Sequence, residues 1–272
     1  GFTLHGKTLG VIGVGNVGKR VVEKAEALGL RVLQNDPPRA RAEEQANAFV
    51  DLNTLLAESD IVTTHVPITR DGQDATYHMA DAGFFNRMRP GTIFINAARG
   101  PVVATDDLLS AIKTGQLSHA ILDTWEGEPN FRKALLDAVD IGTPHIAGHS
   151  FEGKVMGTVM VYREACRVLG VDATWTPDDL LPEPVVPKII VDASTKCDEA
   201  VLWEIVRQVY SIEEDDARLR TSTENRTAHF DSLRKNYPVR REFRFTKVVL
   251  QNAPKPLCST LSKLGFKVMD SA

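Results

Sequence analysis

The sequence predicts an α/β protein: a doubly wound parallel sheet followed by a small α+β domain. Three observations carry that reading. Over the first 145 residues, short β-rich apolar runs alternate with longer helical patterns, the signature of parallel βαβ units. Runs such as Val11-Ile12 and Ile93-Phe94-Ile95 are apolar on both faces, as a sheet covered by helices on both sides requires. Past a proline-rich stretch the pattern restarts over about 85 residues, enough for a second, smaller domain.

Taken in order, the spacing predicts strands over 8–13, 31–35, 60–65, 92–96 and 119–123, and helices over 16–28, 52–58, 105–114 and 131–138. Residues 151–169 read as one long helix. Pro177, Pro182, Pro184 and Pro187 then suppress helix and mark a linker over 177–187. Beyond it, 188–191 and 247–250 read as strands, and 197–209 and 255–264 as helices.

Composition narrows the function classes. The 272 residues are 43% hydrophobic and 25% charged, the balance of a globular protein. Thirty-two basic against 36 acidic residues leave a net charge of −4, which speaks against nucleic acid as a partner. No apolar run reaches the length that spans a bilayer, so no membrane role is expected. Cys166, Cys197 and Cys258 are odd in number and far apart; they suit neither a disulfide framework nor a Cys metal site, and a reducing cytoplasm fits them. Asp-x-Asp spacing is absent near the candidate site below, so no metal is expected. His65, His78, His119 and His229 read as structural. The stretch from Arg218 to Lys247 carries nine basic residues among Phe230, Tyr237, Phe243 and Phe245, and reads as a subunit interface and solvated face. Glu213 to Asp216 reads as a solvated turn or helix cap able to pair with that stretch.

The first strand runs into Gly13-Val14-Gly15-Asn16-Val17-Gly18, which opens the first helix. This is GxGxxG in the context that gives it meaning. Gly13 permits the tight turn, Gly15 lets the backbone approach a pyrophosphate, and Gly18 lets helix pack on strand. The helix N-terminus offers N–H groups and a partial positive charge to phosphates. Asp36 ends the next strand, 18 residues beyond Gly18, where an acidic side chain accepts from the ribose hydroxyls of NAD and repels the 2′-phosphate of NADP. The expected domain is therefore a Rossmann-type one.

Three further stretches sit at expected strand ends, where chemistry collects in an open α/β sheet. They are Asn96-Ala97-Ala98-Arg99-Gly100, Leu122-Asp123-Thr124-Trp125-Glu126-Gly127-Glu128-Pro129 and Thr143-Pro144-His145-Ile146-Ala147-Gly148. Arg99, Asp123, Glu128 and His145 are expected to converge. Such a set suits hydride transfer at a 2-hydroxy acid. A histidine takes or returns the hydroxyl proton, a carboxylate holds the imidazole, and an arginine fork grips the substrate carboxylate.

These stretches resemble the D-isomer-specific 2-hydroxyacid dehydrogenase family. The resemblance implies Arg99, Glu128 and His145 as catalytic residues. It adds nicotinamide contacts from Asp123, Ala97 and Ala98 and cofactor contacts at Val66 and Gly148, to stand beside Gly13, Gly15, Asn16, Val17, Gly18, Asp36 and Arg99. Arg99 and His149 are implied on the substrate; His149 stands where tyrosine is common, and Val66 where threonine is common. A narrower branch is suggested by Asp36-Pro37-Pro38-Arg39, by Trp125-Glu126-Gly127-Glu128-Pro129, by His145 to Lys154, by Val209-Tyr210-Ser211-Ile212 with Asp215-Asp216, and by Phe230-Asp231-Ser232-Leu233-Arg234-Lys235-Asn236-Tyr237-Pro238 with Arg240-Arg241-Glu242-Phe243. That branch implies a small phosphorylated 2-hydroxy acid as substrate, a step toward pyridoxal 5′-phosphate, and a homodimer formed through 188–272. A dehydrogenase of phosphoglycerate or hydroxypyruvate type, and a non-catalytic NAD(H)-sensing protein on the same fold, stay open as alternatives. The expected organisation is an NAD-binding domain over 1–150, a crossover helix of the substrate domain over 151–176, the linker, and a dimerisation domain over 188–272. Family members carry a segment of about 100 residues ahead of the strand that starts at Thr8, a domain-sized unit. The expectation is thus a fragment that binds NAD(H) and alone turns over poorly.

Overall fold

The structure is a computed structural model that describes residues 3–42, 48–177, 180–221 and 224–270. It divides into two compact units, Gly1–His145 with Ile212–Lys235, and Ile146–Ser211 with Asn236–Ala272.

The first unit is built on a six-stranded sheet. Its strands are β1 (Thr8–Ile12), β2 (Arg31–Asn35), β3 (Ile61–Thr64), β4 (Thr92–Asn96), β5 (Leu117–Leu122) and β6 (Ile141–Gly142). They pair in the order β2-β1-β3-β4-β5-β6, and every pairing is parallel. Alternate residues feed opposite cores. Leu9 and Val11 of β1 and Ile61 of β3 join Val22 and Ala25 of α1 (Asn16–Ala27) on one side. Ile12, Val62 and Phe94 join a second core with Leu55 and Leu56 of α3 (Leu52–Glu58), and with Phe84 and Phe85 of α4 (Ala82–Arg87). That second core continues through Leu108 of α5 (Thr105–Lys113) to Leu135 and Leu136 of α6 (Lys133–Ala138). Asp51 and Asp81 cap α3 and α4 by accepting from Thr54 N at 3.0 Å and Phe84 N at 2.8 Å. The short helix α2 (Pro37–Ala42), unmarked by periodicity, follows Asp36 directly; proline suits a first helical turn because it lacks the N–H that would be unpaired there.

The chain leaves β1 for β2 on one side and returns to β3 on the other. The carboxyl ends of β1 and β3 therefore flank a topological switch point, the place where an open α/β sheet leaves a crevice.

Residues 212–235 depart from the expected layout. The sequence pattern groups them with 188–272, yet α9 (Ile212–Arg220) and α10 (Arg226–Lys235) belong to the first unit. The reason is specific bonding. Arg220 donates to the carbonyls of Leu136 at 2.7 Å and Val139 at 2.9 Å, and Asp216 accepts from Gly142 N at 2.7 Å. Phe230 is fully buried beside Phe131, their rings 5.6 Å apart. The acidic run forms the first turn of α9 and does pair with the basic stretch, through Arg218 to Glu214 and Asp215 and through Arg220 to Asp216. Asp215 is buried rather than solvated.

The second unit begins with Ile146 and enters α7 (Phe151–Leu169), capped by Ser150, whose hydroxyl accepts from Gly153 N at 3.0 Å. Three parallel strands, β7 (Lys188–Asp192), β8 (Lys247–Gln251) and β9 (Lys267–Asp270), lie in that order. Ile189, Val191, Val248 and Leu250 are buried, with α8 (Asp198–Val209) against β7 and α11 (Lys255–Leu264) against β9. The opposite sheet face sets Ile190, Val249 and Met269 in one cross-strand row, with Ile190 58% and Met269 50% exposed. Residues 181–187 carry no strand or helix.

Candidate active site

The glycine loop follows β1 at the switch point. Gly13 holds φ +86, a left-handed conformation closed to most side chains. A Cβ on Gly18 would lie 2.0 Å from the Gly13 carbonyl oxygen, so helix and loop touch there without a side chain between them. A Cβ on Gly15 would meet nothing within 4 Å. No side chain caps α1 at Gly15, and Asn16 and Val17 stand exposed in its first turn. The open cradle before an uncapped helix N-terminus is thus present in the fold and fits a pyrophosphate.

Beside it lies a crevice of about 370 Å³ lined among others by Gly13, Gly15, Asp36, His65, Val66 and Thr76. Asp36 accepts from Val14 N at 2.8 Å and Arg39 N at 3.2 Å, which aims its carboxylate across the mouth of the loop. Arg39 in turn donates to the Val14 carbonyl. Burial pushes the His65 imidazole down to about 4.

The chemistry-bearing residues follow three neighbouring strands. Asn96, fully buried at the end of β4, accepts from Thr64 Oγ1 at 2.8 Å and Ala98 N at 3.1 Å. Its amide donates to the Arg99 carbonyl at 3.1 Å. These bonds shape the Ala97-Ala98-Arg99 turn, leaving Arg99 exposed with Nη1 on the Ala98 carbonyl at 2.7 Å. Asp123 follows β5, buried, accepting from Thr143 Oγ1 at 2.6 Å. Trp125, fully buried and stacked on Phe131 at 4.4 Å, donates its indole N–H to the Thr143 carbonyl at 2.9 Å.

His145 follows β6 with φ +54, a conformation that costs a non-glycine residue roughly 1–2 kcal/mol. Its N–H is held by the carbonyls of Asp123 at 2.8 Å and Thr143 at 3.0 Å. Its Nδ1 lies 2.5 Å from Glu128 Oε1, while Glu128 Oε2 accepts from Trp125 N at 3.0 Å. Glu128 is therefore fixed at both oxygens, and the imidazole is left with Nε2 for proton exchange.

Gly148 and His149 belong to the second unit. There His149 N donates to the Ile146 carbonyl at 2.9 Å, and its ring meets Tyr237 edge-on at 5.8 Å. Arg240 Nη2 donates to the carbonyls of Ile146 and Ala147, both at 3.0 Å. Asn96, which shapes this turn, is marked in the sequence only by its place as the first residue of the Asn96-Ala97-Ala98-Arg99 stretch.

A glycine cradle at the switch point and a histidine–carboxylate pair at neighbouring strand ends together define a class, the dinucleotide-dependent oxidoreductases. Comparison with known proteins takes this further. Residues 1–147 match the NAD binding domain of D-isomer specific 2-hydroxyacid dehydrogenases, and the chain belongs to that family. Its cofactor is NAD. Residues 180–265 match a domain of unknown function. The erythronate-4-phosphate dehydrogenase of Escherichia coli O7:K1 is 42% identical over 269 residues, 99% of this chain and 70% of that relative. Among solved structures, D-mandelate dehydrogenase of Rhodotorula graminis is 35% identical, with a TM-score of 0.50 over 56% of this chain and 45% of its own. The NAD-complexed D-isomer specific 2-hydroxyacid dehydrogenase of Lactobacillus delbrueckii ssp. bulgaricus is 26% identical, with a TM-score of 0.52 over 62% of this chain and 55% of its own. The chain spans about half the length of these solved relatives.

Proposed function

We propose that the protein oxidises 4-phospho-D-erythronate to 2-oxo-3-hydroxy-4-phosphobutanoate with NAD, a step toward pyridoxal 5′-phosphate. The observation that carries the chemistry is the 2.5 Å approach of His145 Nδ1 to Glu128. The substrate follows from relatives named erythronate-4-phosphate dehydrogenase, whose likeness runs through both units.

NAD, when bound, accepts the hydrogen on C2 with its electron pair. Its pyrophosphate is assigned to Gly13, Gly15, Asn16, Val17 and Gly18, its ribose to Asp36, and further contacts to Val66, Ala97, Ala98, Arg99, Asp123 and Gly148. His145 takes the C2 hydroxyl proton at Nε2. As the ring becomes imidazolium, the Glu128 carboxylate stabilises it through a charge-assisted hydrogen bond already in place. Arg99, exposed at the end of β4, grips the substrate carboxylate and polarises the forming carbonyl. His149 is assigned to the substrate as a hydrogen-bond donor.

Pairing of two copies is assigned to 188–272, and within it to the small sheet β7-β8-β9. The cross-strand row of Ile190, Val249 and Met269, with Ile190 and Met269 exposed and Val249 half-buried between them, supports a self-association surface. Cys166, Cys197 and Cys258 are all free, which supports a reducing compartment, the cytoplasm. Among the described residues, no helix is long and apolar enough to cross a membrane.

The test is a substrate panel read by NADH absorbance, run on the chain joined to a substrate-domain segment of the family, since residues 1–272 alone are expected to turn over poorly. Turnover should be fastest with 4-phospho-D-erythronate, ahead of 3-phosphoglycerate and glycerate. His145→Ala should lower kcat/KM by on the order of 10²- to 10⁴-fold. Faster turnover on another acid overturns the substrate, and tight NADH binding without turnover on any acid overturns the enzyme.

A further inference from the structure

Among the described residues, three non-glycine residues hold positive φ, and two of them are histidines that meet carboxylates of a single turn. His145, at φ +54, meets Glu128. His78, at φ +51, meets Glu126 through Nε2, two residues earlier on the same turn. Gly127, at φ +77, lies between the two carboxylates.

His78 is bound on two sides. Its backbone N–H donates to the Pro101 carbonyl at 2.8 Å, two residues past Arg99. Ala80 then bridges Val103, donating to the Val102 carbonyl at 3.0 Å and accepting from Ala104 N at 3.1 Å. The segment holding His78 is thereby zipped to the loop that follows Arg99. Glu126 spends its other oxygen on Thr105 N at 3.2 Å, at the start of α5. Gly100 packs directly on this turn, since a Cβ there would lie 2.0 Å from the Trp125 carbonyl carbon and oxygen. Tyr77 stacks on the His78 ring at 4.0 Å, and the Arg70 guanidinium covers Tyr77 at 4.4 Å. Partial burial pushes the Glu126 carboxyl up, but hydrogen bonds from His78 and Thr105, with the His78 charge, outweigh it and hold it below its ordinary range.

We propose that His78 is a positioning residue: through Glu126 it fixes the 125–128 turn so that Glu128 stays on His145, and through Pro101 it ties that turn to the loop carrying Arg99. The arrangement needs such a tie. Arg99 and Glu128 follow different strands, and displacing a positioned group by about 1 Å costs on the order of 100-fold in rate. This role rests on the activity proposed above.

The test compares His78→Ala, His78→Gln and Glu126→Gln with the unsubstituted protein. Two readouts are taken: the Nδ1–H resonance of His145 in protein labelled with ¹⁵N-histidine, and kcat beside KM on the preferred acid. A strong Nδ1–H···Glu128 bond places that resonance far downfield. His78→Ala and Glu126→Gln should move it upfield or broaden it, and lower kcat about 10- to 100-fold with NADH affinity retained. His78→Gln keeps a donor to Glu126 and should restore both. An unmoved resonance and kcat in the His78→Ala and Glu126→Gln proteins overturn the proposal, as does a His78→Gln protein as impaired as His78→Ala. Glu126→Gln is near-isosteric and decides the matter if His78→Ala does not fold. If the unsubstituted protein oxidises no acid, the activity fails while the resonance still decides the positioning.

Discussion

One methyl group, added at two glycines three residues apart, should separate folding from cofactor binding. At Gly18 a Cβ would lie 2.0 Å from the Gly13 carbonyl oxygen and 3.0 Å from its carbon, both backbone atoms that cannot swing aside. Relieving that overlap means shifting α1 against the loop, and overpacking of this kind costs about 1–3 kcal/mol or more. For a protein of this size that lowers Tm by roughly 2–4 °C per kcal/mol. At Gly15 a Cβ would meet nothing within 4 Å, and the residue already has φ −75, which alanine accepts. Alanine is a poorer N-cap than glycine, but it also restricts the unfolded chain, by about 0.4–1 kcal/mol. These effects offset, so Gly15→Ala should leave Tm nearly unchanged. Its methyl would instead occupy the space the pyrophosphate needs. NADH affinity should fall at least tenfold, about 1.4 kcal/mol. Thermal unfolding and a fluorescence titration with NADH read the two quantities separately. A Gly15→Ala protein that binds NADH normally, or a Gly18→Ala protein as stable as the parent, would overturn these roles for the two glycines.

Three other outcomes are expected. Glu128→Gln keeps the size but removes the charge that faces His145; the lost charge-assisted bond, about 1.5–3 kcal/mol, should lower kcat by roughly 10- to 100-fold with little change in NADH affinity, and an unchanged kcat would contradict the role given to Glu128. His65 is held near 4 against an ordinary 6.5, so between those values the unfolded chain binds the extra proton. Stability is then full above about pH 6.5 and falls by about 3 kcal/mol as the pH drops through 4. Urea midpoints at pH 7 and pH 4.5 should accordingly differ less in His65→Gln, and an identical pH slope in both proteins would exclude His65 as its source. Ile190→Asp, on the exposed row of the small sheet, should shift sedimentation from dimer toward monomer while circular dichroism stays the same; a parent that is monomeric at all concentrations would sink the pairing surface.

Much of the first unit was legible because burial on both faces leaves a mark in the sequence. β2, β4, α3 and α7 begin and end where the spacing places them, and β5 starts two residues earlier than expected, at Leu117. What escaped detection was short or depended on distant partners. β6 has only two residues, Ile141 and Gly142, too few for any period. The first turn of α9 is almost wholly acidic, a pattern that alone suggests solvent. Its place is set by the carbonyls of Leu136 and Val139, more than 80 residues away along the chain. No local pattern encodes such a partner, which is why 212–235 reads as part of the sequence that surrounds it.

The candidate site divides along the same line. That the Gly13–Gly18 loop and Asp36 meet at the end of β1 was legible because one loop and the next strand end carry the whole pattern. Glu128 and His145 are 17 residues apart and were joined by the chemistry they suit together. His78 offered no such lead, since a lone histidine in a loop is most simply structural and its partner lies 48 residues away. Only the parallel order of β3, β4 and β5 explains the meeting. Loops that leave neighbouring parallel strands emerge at the same edge of a sheet, so the segment after β3 lies beside the turns after β4 and β5. That edge sets the demands on the site. The proton acceptor and the anion clamp proposed above, carried on separate strand ends, keep their spacing only if something ties the loops together. In this fold the tie falls to a histidine and a carboxylate that sequence reasoning had no cause to pair.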